Sequence, residues 1–205
     1  AGGLAGCAGG GGSDTETATD ETATGTPTPT ETATATPTQT ATATPTPTET
    51  ATQAPTHDLG ETFTVGEGET AIRYTFEEFF RAQELGATGS EQATDTFLVV
   101  VLTVENPQST TTAVPTPKIK LRGPGVIKNI DTGASEAVGS DSRLDLKSVA
   151  TATITPESQV TGVVVFDAPT GNDYRIEIGP TGESGTAHYV RVGDIAGVQE
   201  LQADY

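Results

Sequence analysis

Apolar and polar residues alternate with a period of two in a series of short segments after residue 60. Phe63 and Val65 alternate within 61–66, and Ile72, Tyr74 and Phe76 within 70–77. Such patterns predict strands with one face buried and one in water. Residues 118–122 (KIKLR), 174–178 (YRIEI) and 188–192 (HYVRV) read the same way, and 149–154 does so weakly. Residues 97–104 (FLVVVLTV) and 160–166 (VTGVVVF) are instead nearly continuous apolar runs. A run of that length predicts a strand covered on both faces. Residues 76–85 (FEEFFRAQEL) fit either a short helix or a strand running on from Tyr74, and we read them as strand. Turn-forming residues punctuate the runs, as in Asn106-Pro107, Gly123-Pro124-Gly125, 169–173 (PTGND) and Gly179-Pro180. About seven or eight strands separated by turns predict an all-β sandwich over residues 58–205.

The alternation before residue 58 has another character. Every even position from Thr22 to Thr52 is Thr, while odd positions hold Ala, Pro, Glu, Gln and Gly25. No face is apolar enough to drive burial. Pro27, Pro29, Pro37, Pro45, Pro47 and Pro55 remove ladder donors and fix φ. Residues 14–57 therefore read as a disordered Thr/Pro-rich stalk, extended and polyproline-like where it has any preference. Such tracts resemble mucin-like O-glycosylated stalks, and an unmodified linker reads equally from composition. Residues 8–57 would span about 155 Å as polyproline II and about 40 Å as a flexible coil. Asn106, Asn129 and Asn172 lack Ser or Thr two residues on, so N-glycosylation is not expected.

Charge narrows the partners. The chain carries 28 acids and ten Lys or Arg, a formal net charge of −18. Residues 58–205 hold every base and a net charge of −12. Nucleic-acid affinity depends on Lys and Arg neutralising phosphates, so no nucleic-acid partner is expected. Acidic residues and Thr in excess over few lysines also suit a high-salt habitat, where screening shortens to about 3 Å near 1 M salt. A halophilic source is the expectation.

A single cysteine, Cys7, excludes an intramolecular disulfide and a Cys-rich zinc site. Its neighbours are Gly and Ala, which offer no core to bury it. Leu4-Ala5-Gly6-Cys7 resembles a lipobox, the cleavage and lipidation site of prokaryotic lipoproteins. Small residues suit a narrow peptidase site, and the thiol is the group that takes the lipid. The expected organisation is a lipobox remnant and Gly-rich tether over 1–13, the stalk over 14–57, and the folded domain over 58–205. Cys7 is the one expected site residue, placing the protein outside the cytoplasm and tethered to the membrane.

A few short motifs bear on chemistry. Gly66-Glu-Gly-Glu-Thr-Ala71 fits a dinucleotide-type spacing, yet a strand-like segment follows where a helix N-terminus is needed, so a turn is expected. His188 reads as an ordinary strand residue beside Tyr189, and His57 as solvent-exposed at the stalk boundary. Asp141, Asp145, Asn172 and Asp173 could offer oxygens to Ca²⁺, but no D-x-D-x-D-G loop occurs, and solvated acids are the plainer reading. Glu77 and Glu78 are adjacent on a strand, which would put them on opposite faces rather than in a dyad. No catalytic residue, cofactor or metal ligand is expected, and the chain is not read as an enzyme.

Residues 97–106 (FLVVVLTVEN) resemble the signature strand of an Ig-like domain of unknown function common on bacterial and haloarchaeal lipoproteins. Residues 155–169 (TPESQVTGVVVFDAP) resemble its later turn-and-strand segment, with Glu157 and Ser158 where the family usually has Gly. That family is similar in fold to the mycobacterial immunoprotective extracellular antigen. The resemblance implies an immunoglobulin-like β-sandwich and brings no catalytic residues. The expected function is a lipid-anchored, surface-displayed binding or scaffold module, with a cell-surface protein as possible partner. The alternatives are a solute- or ligand-binding sensor and a metal-dependent extracellular hydrolase.

Overall fold

The computed structural model describes residues 54–183 and 185–202. Cys7, the tether and nearly all of the stalk lie outside the described residues.

Eleven strands and one short α-helix follow one another in the order β1 (Thr56–His57), β2 (Thr62–Val65), β3 (Ile72–Leu85), β4 (Glu91–Asn106), β5 (Thr112–Ala113), β6 (Ile119–Gly123), β7 (Val126–Asn129), α1 (Thr132–Ala137), β8 (Thr153–Ile154), β9 (Ser158–Asp167), β10 (Tyr174–Ile178) and β11 (His188–Gly193). They form a four-stranded sheet, β2-β3-β4-β9, and a five-stranded sheet, β1-β11-β10-β6-β7, with β5 and β8 as a separate pair. The all-β sandwich is as expected. The segment 76–85 is strand, continuous with Tyr74 in β3. Of the weak pattern at 149–154, only Thr153–Ile154 is strand.

The main core lies between the two sheets. Phe76, Leu98, Val100 and Phe166 from one sheet and Leu121 and Ile176 from the other belong to one buried cluster. A second cluster covers the opposite face of the four-stranded sheet, where Val99, Val101, Val163 and Val165 meet Ala134, Val138 and Leu201. Two buried faces explain why β4 and β9 are apolar at successive positions.

The outer edge of β9 is covered as well. Asp131 caps α1 by accepting the Ala134 N–H at 3.0 Å. Buried Ser135 on that helix accepts the Val165 N–H at 2.9 Å. Further along, Val163 donates to the Lys147 carbonyl at 2.9 Å and accepts from Val149 at 3.0 Å. These bonds satisfy backbone groups that would otherwise form an open edge.

Two expectations are corrected here. Thr56 and His57, assigned to the stalk, form β1 and pair in parallel with Tyr189 and Val190. Glu77 and Glu78, expected on opposite faces of the strand, break that alternation: the register of β3 against β4 shifts between Phe76 and Glu78, which leaves Glu77 as an extra residue, and both side chains are exposed. The bulge inserts an extra residue and resets which residues face the core, so Phe79 joins the main cluster while Phe80 packs on the second. Glu77 accepts a hydrogen bond from Thr103 Oγ1 at 2.6 Å. Among the described residues no helix is long and apolar enough to cross a membrane.

Candidate functional site

The outer face of the five-stranded sheet carries a groove of about 670 Å³. Its lining comes from all five strands, from Thr56 on β1 to Ile127 on β7. That volume lies within the range of small-molecule sites, roughly 300–1,000 Å³.

Strand register sets what the groove presents. Arg191 on β11 pairs with Arg175 on β10, Arg175 pairs with Arg122 on β6, and Arg122 pairs with Ile127 on β7. Directly paired residues point to the same face, so three arginines and an isoleucine form one row across four strands. With strands about 4.8 Å apart, the three arginine Cα positions span about 10 Å. Like charges placed opposite each other destabilise a sheet, and this row persists in a chain that has 28 acids available to relieve it.

Only part of the row is neutralised. Arg122 donates from Nη2 to Glu177 Oε1 at 2.7 Å. Its Nε lies 2.6 Å from Oε2, with the N–H not aimed as a hydrogen bond. Burial alone would raise the Glu177 carboxyl, but bonds from Arg122 and from Tyr189 Oη at 3.0 Å hold it below its ordinary value. The same Glu177 contact raises the Arg122 guanidinium. Arg175 lies over the Tyr189 ring at 4.2 Å, a cation–π contact. Among the described residues neither Arg175 nor Arg191 has a carboxylate within ion-pair distance, and both are exposed. Ile127, 57% exposed, ends the row and is, with Leu59 elsewhere, one of two large exposed hydrophobics among the described residues.

A histidine pair stands at the sheet's other end and overturns the expectation for both residues. His57 is not solvent-exposed: its side chain is 11% exposed and stacks on Phe63 with centroids 3.9 Å apart. His57 Nδ1 lies 2.7 Å from Glu61 Oε1, and Nε2 lies 2.9 Å from His188 Nδ1. Each hydrogen-bonded N–N contact needs one donor and one acceptor, so one imidazole of the pair must be neutral. His188 also lines a smaller hollow of about 310 Å³ with Pro55, Thr64 and Thr186.

Burial first, and the charge of His57 second, hold the His188 imidazole below its ordinary 6.5. A depressed imidazole binds fewer protons folded than unfolded, so its contribution is complete above about pH 6.5 and drains as the pH falls. In about 1 M salt, which screens the general charge, we expect the thermal midpoint to fall between pH 7.5 and pH 5. His188→Gln should shrink that fall. A wild-type midpoint equal or higher at pH 5, measured by calorimetry, contradicts this account.

The remaining candidates are dispersed. Asp141, read as a solvated acid, is buried and held by Arg143, whose Nε and Nη2 donate to its two oxygens at 2.8 and 2.6 Å. It also accepts the Gly86 N–H at 3.0 Å. Burial opposes its ionisation, but these bonds prevail and its carboxyl is lowered. Its oxygens hold a loop rather than face solvent. Asp145 and Asp173 are exposed. Gly66–Ala71 is a turn, with Gly66 at φ +86° and a 3₁₀ turn over Gly68–Thr70. Among the described residues no three His, Cys, Asp or Glu side chains gather as a metal site.

The arginine row was missed in the sequence. Its signal was present, since Arg122, Arg175 and Arg191 each occupy a polar position of an alternating strand. Register, which brings them side by side, depends on pairing between distant segments.

Solved structures with similar sandwiches include the secreted protein MPT63 of Mycobacterium tuberculosis, 11% identical, covering 68% of this chain and 98% of that one at a TM-score of 0.48. The yjhA protein of Bacillus subtilis is 17% identical, covering 66% and 98%, at 0.46. A β-sandwich protein of Clostridium difficile is 11% identical, covering 72% and 99%, at 0.47. No curated protein matches the chain. A family model matches residues 57–188, from the last residue of β1 to the first residue of β11, and takes in both histidines. The chain belongs to the family described as domain of unknown function DUF4352.

Proposed function

We propose that the chain is a lipid-anchored extracytoplasmic protein whose β-sandwich binds a ligand through the groove on its five-stranded sheet. The observation that carries the binding half is the arginine row. Two exposed guanidinium groups without carboxylate partners among the described residues, in one row with an exposed Ile127, form a surface poised for a ligand. The groove favours a ligand-binding module over a pure scaffold, and binding over catalysis. The metal-dependent hydrolase considered as an alternative has no three-residue donor cluster to use among the described residues.

Sequence supports the anchoring half. Leu4-Ala5-Gly6-Cys7 supplies the lipidation pattern, and the Thr/Pro tract supplies a spacer that holds the domain off the bilayer. With its signal sequence in a lipoprotein-processing host, Cys7→Ala should move the protein from the membrane fraction to the medium, or leave the precursor uncleaved. Unchanged fractionation and processing would contradict the anchor.

A further inference from the structure

The geometry points to a ligand class for this groove, an inference that rests on the binding role proposed above. We propose that the groove binds a free amphipathic carboxylate: one acid head between Arg175 and Arg191, and a linear apolar body reaching Ile127.

Head and body follow from the order along the row. Arg191 and Arg175 are adjacent across two strands and lack carboxylate partners among the described residues. Guanidinium presents a planar fork that matches a carboxylate. The next position, Arg122, is already engaged by Glu177, so it offers its aliphatic stem rather than a free charge. Beyond it stands exposed Ile127, with Pro124 and Tyr174 also lining the groove. From Arg175 to Ile127 is two strand spacings, about 10 Å, a length that a medium acyl chain covers.

Charge argues against other occupants. Asp173, just before β10, also lines the groove, so the acid head seats on the arginines and a second acid group would meet that carboxylate. The chain's net charge of −18 opposes polyanions such as acidic polysaccharides or nucleic acids, which cannot confine their charge to one short row. A concave groove suits a molecule that enters it better than a bilayer face that lies across it.

Calorimetric titration of the full-length protein tests this with octanoate, acetate, octylamine and vesicles of anionic phospholipid. Octanoate should bind with one-to-one stoichiometry, acetate roughly tenfold or more weaker, and octylamine not at all. The double variant Arg175→Gln/Arg191→Gln should lose roughly tenfold or more for octanoate. Its thermal midpoint should hold or rise, since the substitution removes cross-strand repulsion. Ile127→Ser should weaken octanoate and leave acetate unchanged. Equal affinity for octanoate and acetate, no binding of octanoate, or an unchanged double variant overturns the assignment. Binding to vesicles but not to octanoate overturns it in favour of a membrane face. Failure of octanoate to bind overturns the ligand class alone, whereas octanoate binding that the double variant leaves unchanged overturns the groove's binding role as well.

Discussion

Replacing Asn106 with alanine should destabilise the domain by about 2–4 kcal/mol. Asn106 ends β4 and is fully buried. The two hydrogens on its Nδ2 are shared among the carbonyls of Thr110 at 2.8 Å, Ile154 at 3.1 Å and Thr155 at 3.2 Å. Its Oδ1 accepts the Gln108 N–H at 3.0 Å. One side chain thus clamps the turn after β4 to the residues around β8 and closes that end of the sandwich. Alanine fills less space and leaves buried carbonyls without donors, which costs more than the bonds themselves contribute. A thermal midpoint lower by about 10 °C is expected for a domain of this size. Asn129→Ala, at an exposed position of β7, serves as the near-neutral control. A loss under about 1 kcal/mol at Asn106 would show that water or a rearranged turn satisfies the carbonyls.

Gly162→Ala should cost about 3 kcal/mol or more, an unusually large effect for one added methyl group. A Cβ at this position of β9 would collide with the Lys147 backbone carbonyl and lie 2.8 Å from Val149 Cγ1. Neither can retreat cheaply. Lys147 O accepts the Val163 N–H, Val149 N–H bonds Val163 O, and Val149 is 1% exposed in the main core. Displacing residues 147–149 would break both bonds and open the β9 edge, a template for association with other chains. Denaturant unfolding should show the loss, and light scattering should show association. Gly139→Ala, where an added Cβ meets nothing within 4 Å, should be close to neutral. Equal stability for the two variants would contradict this packing.

What could be read from the sequence followed from local patterning. The runs at 97–104 and 160–166 announced strands buried on both faces, and both are so from Phe97 to Leu102 and from Gly162 to Phe166, while Thr161 is exposed. What covers the second face was hidden, because α1 is six residues of small and polar side chains (TGASEA) with no apolar stripe. It is held by Asp131 at its cap and by the Ser135–Val165 bond, a contact between segments 30 residues apart. His57 was misplaced for a related reason. Its chain neighbours share the composition of the Thr/Pro tract, whereas its environment is built by Phe63 and His188. The bulge in β3 defeated simple alternation at Glu77 and Glu78, where pairing with β4 overrides local period. The arginine row combines both cases: each arginine is legible as an outward strand position, but their alignment is set by the β6-β10-β11 register.

The central claim is that the outer face of the five-stranded sheet is the binding surface, rather than the loops that join strands at the ends of a sandwich, where recognition often sits. Amide chemical-shift mapping during an octanoate titration tests it most directly. The account predicts shifts that saturate together and cluster on β6, β7, β10 and β11 around Arg122, Ile127, Arg175 and Arg191. Saturable shifts confined to the end loops, or to the hollow beside His188, would contradict it.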